Sequence, residues 1–409
     1  MCGGCQLQEL PLSSQIHHKL DLLKRLVEIG EQPGDAYIHV HGVRPTCADG
    51  YHYRNKLELS FGARRFDRDG KPEDGGQGSF LGFHPPGWYS KIVPLRGCPL
   101  GSLAMQPVIA CVVDMALSPA WNSHTHTGTW RHLVIRDAGT VDAPAMLVTL
   151  VTSSDATAEA VQVVADAVAA VPGVKSVLHV VTDGVAEVAR GELKAVLHGE
   201  ARLHFTLGSA RLDLPHDAFF QVNSAGAEVL LQTIAEAAQL EAGHGGTLVD
   251  LYCGVGAIGL ALAPRVDRVI GVELHADSID RARENAVLNS VVGEWHAGTV
   301  EDLLPTLDLG ERPILIVDPP RAGLHPKAAE FLAQQDAEVL VYVSCGPASL
   351  ARDRAVLRAG GWQLTDLWGV DLFAQTHHME AVARFVRIPA TTESAPFLTA
   401  VDAAGGAAG

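Results

Sequence analysis

The run VYVSCGPASLARD, Val341 to Asp353, carries a residue with clear chemical potential. Leu340 to Val343 is an apolar stretch of strand type, and Ser344 and Cys345 stand where it stops. Gly346 turns the chain. Pro347 to Leu357 then reads as a helix, with proline near the first turn, where a missing N–H costs nothing. Cys345 is therefore expected as a thiol at a strand-to-helix corner, facing a helix N-terminus. That setting favours thiolate over thiol and makes a nucleophile. A cysteine after an apolar strand is more often a small core residue, so its companions decide.

Those companions are acids at the ends of other apolar runs: Asp250 in TLVDL, Glu273 in VIGVE and Asp318 in ILIVD. After Asp250 the chain reads YCGVGAIGLALA, a tight turn through Gly254 and Gly256 that lets backbone approach a ligand. One such turn is a weak signal, since many α/β proteins own one. Glu273 follows the glycines by about twenty residues, the spacing that places an acid on ribose hydroxyls. His377, His378 and Glu380 precede a last strand, too close together for the usual helical zinc spacing. Cys2 and Cys5 in CGGC, with Cys98 in GCP, are candidate ligands of a metal or cluster. Their spacing alone leaves zinc, iron–sulfur and redox chemistry open.

Several elements must position these groups. Ile16, Leu20, Leu23 and Val27 recur at helical spacing between Ser13 and Ile29, with Gly30 as a stop. Tyr51 to Gly62 alternates as a strand, with Arg54 and Lys56 on one face near Tyr51, Tyr53 and Phe61. Such a strip is either a solvated sheet face or a grip for phosphate and a stacked base. Arg64 to Gln77 reads as an exposed loop and Ser79 to Val93 as a hairpin around Pro85. A helix at Leu103 to Ala116 follows. Strands are expected at Trp130–Arg136, Ala145–Thr152 and Val174–Val181, a helix at Thr157–Val171, and short strands near Ala195 and Leu203. The reading is an α+β domain over residues 1–215. From residue 216 to 389, strand and helix alternate and the strands are uniformly apolar, which predicts a doubly wound, Rossmann-like parallel sheet. Ligands bind beyond the carboxyl ends of such strands. Residues 390–409, rich in Ala, Thr and Gly, read as a disordered tail.

The chain has 409 residues, seven cysteines and a formal net charge of -16. The length calls for more than one domain. The charge argues against a protein coated by nucleic acid, though not against a local basic groove. Uneven cysteine spacing fits a reducing, cytoplasmic setting. No apolar run is long enough to span a bilayer, and MCGGCQLQELPL is not a signal peptide. Nothing here speaks to oligomeric state.

The ordered set FFQVN, DLYCGVGAIGLALA, GVE, DPPRAG, SCGPASLARD and FAQTHHMEAV resembles the S-adenosylmethionine-dependent RNA 5-methyluridine methyltransferases. The likeness is close from about His216 to Arg387 and looser before that, through CGGC, YRNK and GCP. It implies a methyltransferase domain that binds S-adenosylmethionine through Gln221, Tyr252, Gly254, Gly256, Glu273 and Asp318. It makes Cys345 the nucleophile that adds to uracil C6 and Glu380 the base that removes the C5 proton. The implied partner is transfer or ribosomal RNA with its target uridine flipped out of a stack or loop. Cys2, Cys5 and Cys98 correspond to three ligands of a 4Fe–4S cluster; the family's first cluster cysteine falls upstream of Cys2. The family also carries a small RNA-binding barrel ahead of the cluster motif, so the chain is expected to lack that barrel or to start downstream of it. Two other classes compete: a small-molecule methyltransferase with Cys345 as plain core, and a non-catalytic RNA-binding relative.

Overall fold

The structure, a computed structural model, describes residues 2–29, 37–66, 71–88 and 90–387. The expected stop at Gly30 and the expected tail at 390–409 lie outside the described residues. The chain opens with α1 (Leu12–Ile29) and β1 (His39–Pro45). A mixed sheet follows, built from β2 (Lys56–Phe66), β3 (Pro72–Phe83), β4 (Val93–Pro94), α2 (Met105–Asp114), β5 (Trp130–Asp137), β6 (Met146–Thr152), α3 (Ala158–Ala169), β7 (Val174–Val181) and β8 (Glu192–His198). Its strand order is β4-β3-β2-β5-β6-β7-β8. Met105, Val108 and Ile109 of α2 and Val161, Val164 and Val168 of α3 share one apolar core with Leu133, Ile135 and Val148 of the sheet.

A hairpin of β9 (Arg202–Leu207) and β10 (Ala210–Pro215) leads to the second half. That half comprises α4 (Ser224–Ala237), β11 (Thr247–Leu251), α5 (Ala257–Leu262), β12 (Arg268–Glu273), α6 (Ala276–Leu288), β13 (Gly293–Ala297) and α7 (Val300–Leu303). It closes with β14 (Ile314–Val317), α8 (Pro326–Gln334), β15 (Val339–Ser344), α9 (Pro347–Ala359), β16 (Trp362–Asp371) and β17 (Glu380–Arg387). Among the described residues its sheet has the order β1-β16-β17-β15-β14-β11-β12-β13. Every residue of β14 and β15 is buried, as helices on both faces require. Local signals fix the helix starts: Asn223 Oδ1 accepts from the Gly226 N–H at 2.8 Å, and Pro347 occupies the first turn of α9.

Four expectations need correction. The sheet is not wholly parallel: β17 runs antiparallel to both β15 and β16. The first 215 residues are not one domain, because β1 pairs in parallel with β16 and becomes an edge of the second sheet. The β9–β10 hairpin likewise packs its Leu203, Phe205 and Leu212 into the core shared with Leu230 and Leu260. The stretch read as a loop from Arg64 to Gln77 belongs largely to β2 and β3, a long hairpin. Finally, Tyr51 to Asn55 is irregular and the strand starts only at Lys56, so Arg54 and Lys56 do not share a strand face. Lys56 pairs with Glu58 at 2.5 Å.

α1 shows why polar residues matter here. Leu23 and Leu26 are buried as its pattern demands, but so are Lys19 and Gln15, one and two turns before Leu23 on that face. Lys19 Nζ pairs with Asp371 at the end of β16 and also donates to the Phe373 carbonyl at 3.1 Å. Burial disfavours the charge on both partners, pushing Lys19 down and Asp371 up, and each offsets that for the other. Removing the lysine strands a buried carboxylate. Lys19→Ala is expected to lower unfolding free energy by about 3–5 kcal/mol in denaturant titration. The double change Lys19→Met with Asp371→Leu is expected to recover most of that loss; an equal loss in both would refute the pairing as the cause.

Candidate active site

The strand registers bring the chemistry together. β11 aligns Leu251 with Val272 of β12 and with Val317 of β14, and β14 aligns Val317 with Tyr342 of β15. Tyr252, Glu273 and Asp318 therefore stand side by side at, or one residue past, the carboxyl ends of their strands. β15 runs against β17 with Ser344 opposite Ala381, so Cys345 and Glu380 are the next residues along that ladder. A thiol and a carboxyl far apart in sequence thus meet because the last strand reverses direction.

An open cleft of about 600 Å³ lies against this edge. Its walls include Phe219, Gln221, Tyr252, Gly254, Asp318 and the apolar Leu230 and Ile258. This mix of one apolar wall with a few polar groups suits a small organic ligand. Gly254, at φ +55, has no atom within 4 Å of where a Cβ would sit, so its backbone is open to a ligand. Gly256, at φ +80, behaves differently: a Cβ there would meet the Trp295 ring at 2.9 Å. It shapes the turn and starts α5, while Gly254 faces the cleft. Glu273 holds the turn by accepting from the N–H of Gly254 at 3.2 Å and of His275 at 3.0 Å. Tyr252 adopts a left-handed backbone, φ 64, uncommon for a side chain of that size.

Asp250, expected at the mouth, is instead a buried residue within β11. One oxygen accepts from the Gly259 N–H at 2.9 Å, and the other has no hydrogen-bond partner among the described residues. It ties β11 to the first turn of α5.

Charge is crowded at the reacting end. Burial, and next Asp318, push Glu380 up to about 8. Burial alone pushes Asp318 up to about 7. The Cys345 thiol is raised as well, first by burial and then by Glu380 and Asp318, and Arg321 offsets only part of this. The resting group is therefore thiol, which corrects the expectation that the helix terminus would favour thiolate. Asp318 is common to both regions: it lines the cleft and faces Cys345 and Glu380.

Two supports escaped sequence reasoning. Asp353 of α9 accepts from Tyr342 Oη at 2.7 Å and from the Leu324 N–H at 2.8 Å, tying β15, α9 and the loop after Asp318 into one knot. Gln375, at φ 68, exchanges hydrogen bonds with Gln15: its N–H donates to Gln15 Oε1 and its Oε1 accepts from Gln15 Nε2, both at 2.9 Å. Its carbonyl accepts from the N–H of Gln6 and Leu7. Asp353 closes the SCGPASLARD run and Gln375 stands in FAQTHHMEAV, but neither run names a partner, because the partners are fixed only by the fold. His378 is held near neutral, its charge disfavoured by burial, His377 and Arg321.

The second cluster of chemistry is sulfur. Burial, then Cys2 and Cys98, raise Cys5 to about 11, which shows that the three thiols crowd one another. The Arg54 guanidinium faces Cys5 and Cys98 and opposes the rise. Three thiols are one short of the four that a 4Fe–4S cluster takes. Cys47 faces Lys19 and Asp371 instead, and Cys111 lies in α2. Among the described residues no fourth thiol completes the set.

Comparison with known proteins agrees with this geometry. The family described as tRNA (Uracil-5-)-methyltransferase matches residues 202–294 and 307–387. An uncharacterized RNA methyltransferase of Caldanaerobacter subterraneus subsp. tengcongensis is 32% identical over 391 residues, 93% of this chain and 82% of its own. A protein of the same description from Listeria innocua is 33% identical over 398 residues, covering 94% and 82%. The crystal structure of Pyrococcus abyssi tRNA (uracil-54, C5)-methyltransferase in complex with S-adenosyl-L-homocysteine superposes with a TM-score of 0.74 at 26% identity. It covers 94% of this chain and 86% of that one. Among the described residues no helix is long and apolar enough to cross a membrane.

Two outcomes test the site. Ordinary carboxyls ionise near pH 4 in the unfolded chain, whereas Glu380 stays protonated in the fold up to about pH 8. Between those limits the folded state holds the extra proton, so its stabilising contribution is present in acid and is lost as pH rises through 8. The difference in unfolding free energy between wild type and Glu380→Gln is expected to drift against the wild type from pH 5 to 9, by at most about 1.4 kcal/mol per unit. A pH-independent difference would show an ordinary carboxylate. Separately, Gly256→Ala is expected to cost about 1–3 kcal/mol of stability, from its left-handed backbone and the Trp295 clash. Gly254→Ala should cost less and act instead on ligand affinity, read by calorimetry.

Carrying its motifs, its sheet order and its relatives together, the chain belongs to the tRNA (uracil-5-)-methyltransferase family of RNA methyltransferases.

Proposed function

We propose that the chain transfers a methyl group from S-adenosylmethionine to C5 of a uridine in structured RNA, through a bond between Cys345 and uracil C6. The observation that carries this reading is the meeting of Cys345 with Glu380 and Asp318 beside an open cleft. A methyl donor fits that cleft: Gly254 offers bare backbone, Gln221, Tyr252 and Asp318 offer polar contacts, and Leu230 and Ile258 an apolar wall. Glu273, fixed beside the same turn, is placed for ribose hydroxyls. The donor supplies one electrophilic methyl group.

The chain's own residues do the rest. Uracil C5 is too poor a nucleophile unaided. Cys345, its proton gone to solvent, adds to C6, and the C5–C6 π electrons move toward O4 as an enolate. C5 then bonds to the donor's methyl carbon as the methyl–sulfur bond breaks, its electron pair staying on sulfur, which leaves as a neutral thioether. Glu380, as carboxylate, takes the C5 proton; that electron pair restores the C5–C6 double bond and expels the Cys345 sulfur. A high carboxyl pKa suits such a base, since it accepts a proton readily near pH 8. The uridine must leave its stack to reach Cys345, so an unpaired loop nucleotide is the substrate. By name, the solved relative acts on uracil 54 of tRNA, which makes transfer RNA the first substrate to try. The three thiols are read as a cluster site outside the reaction path.

Incubation with methyl donor and RNA containing 5-fluorouridine is expected to trap a protein–RNA adduct that survives denaturing gels, because fluorine blocks the final proton removal. Cys345→Ala should form none. Glu380→Gln should accumulate the adduct on ordinary uridine RNA and lose turnover by at least a hundredfold. An adduct persisting in Cys345→Ala, or none with any RNA, would refute the mechanism.

A further inference from the structure

The first residues of β1 read HVH, and strand geometry puts His39 and His41 on one face. Register places Asp366 of β16 directly beside His39. One ligand atom from each of these three residues lies within 4.8 Å of the other two. We propose that His39, His41 and Asp366 form a binding site for a divalent transition metal of the zinc class, at the edge of the sheet opposite the active site.

Chemistry favours that class. Two imidazoles with one carboxylate suit zinc, nickel or copper rather than calcium or magnesium, which prefer oxygen ligands. Ligands at about 2.0–2.1 Å from zinc in a tetrahedron stand about 3.3 Å apart. His41 Nε2 and Asp366 Oδ1 are already 2.9 Å apart, so an ion replaces the shared proton with little opening. Among the described residues His39 has no hydrogen-bond partner; its ring stacks on His41 at 4.2 Å, with 9° between planes. Parallel rings do not aim both nitrogens at one point, so His39 must rotate, which an exposed side chain can do. On its other side His41 stacks on Trp368, also at 4.2 Å, which fixes its plane. Trp368 in turn donates to Glu236 at 3.3 Å. Arg384, 3.5 Å from Asp366, is the competing cation and is held more loosely than His41.

The location defines the role. β1 is an edge strand, while the reactive groups cluster at the far, carboxyl end of β16 and its neighbours. An ion here cross-links β1 to β16, joining the N-terminal segment to the catalytic sheet without entering the reaction.

Zinc titration of the full chain by calorimetry, beside His39→Ala, His41→Ala and Asp366→Asn, tests this. Each variant is expected to bind one ion fewer than wild type, or to bind it at least tenfold more weakly, with circular dichroism unchanged for the exposed His39→Ala. The thiol trio could take zinc too, so the ligand type is read separately. Copper(II) bound to wild type should show hyperfine splitting from imidazole nitrogen in electron paramagnetic resonance, reduced in His39→Ala. No uptake, equal uptake by wild type and all three variants, or a copper signal unaltered by His39→Ala would overturn the proposal.

Discussion

A buried lysine–aspartate pair anchors the geometry on which everything else rests. Lys19 and Asp371 fix the end of β16, from which the chain turns back to start β17 at Glu380. Other long-range bonds hold the same turn. Thr46 Oγ1 donates to the Asp371 carbonyl at 2.6 Å, Tyr53 Oη to that of Ala374 at 3.0 Å, and Asn223 to that of Leu372 at 3.1 Å. The turn carries little regular structure of its own. Its carbonyls are satisfied by the side chains of Lys19, Thr46, Tyr53 and Asn223, as buried backbone requires. The position of Glu380 is thereby set by residues more than 300 positions away.

Against that rigid frame sits an electrostatically uncomfortable site. Three buried carboxyls, Asp250, Asp318 and Glu380, are all raised, and the thiol beside two of them is raised too. A fold optimised only for stability would not gather like charges in a dry corner. Such crowding is a common mark of a site adapted to proton movement. The left-handed Tyr252 and Gln375 fit the same account, since both strained residues flank the region.

Much of this was legible in the chain. The apolar runs ending at Asp318 and Cys345 give their strands almost to the residue, because a strand buried on both faces leaves an uninterrupted apolar stretch. The order of motifs pointed to the family. Less visible were the antiparallel course of β17 and the recruitment of β1, since pairing partners and direction depend on register rather than composition. Lys19 and Gln15 look like solvent-facing residues of an amphipathic helix; their burial depends on Asp371 and Gln375, whose proximity no local pattern encodes. The thiol departs from expectation for a related reason: the helix terminus is a local feature, but the burial that outweighs it, and after it the carboxyls, come from the fold around it.

The edge pairing of β1 with β16 has a consequence for how the polypeptide is made. α1 and β1 are made well before the residues that complete them, which lie more than 300 positions downstream. At about 5–20 residues per second, these segments wait on the order of 15–70 seconds with an unpaired strand and a lysine lacking its counter-charge. The second sheet cannot close until β16 and β17 have been made, so a nascent chain that ends before them lacks both Glu380 and the partner of Lys19.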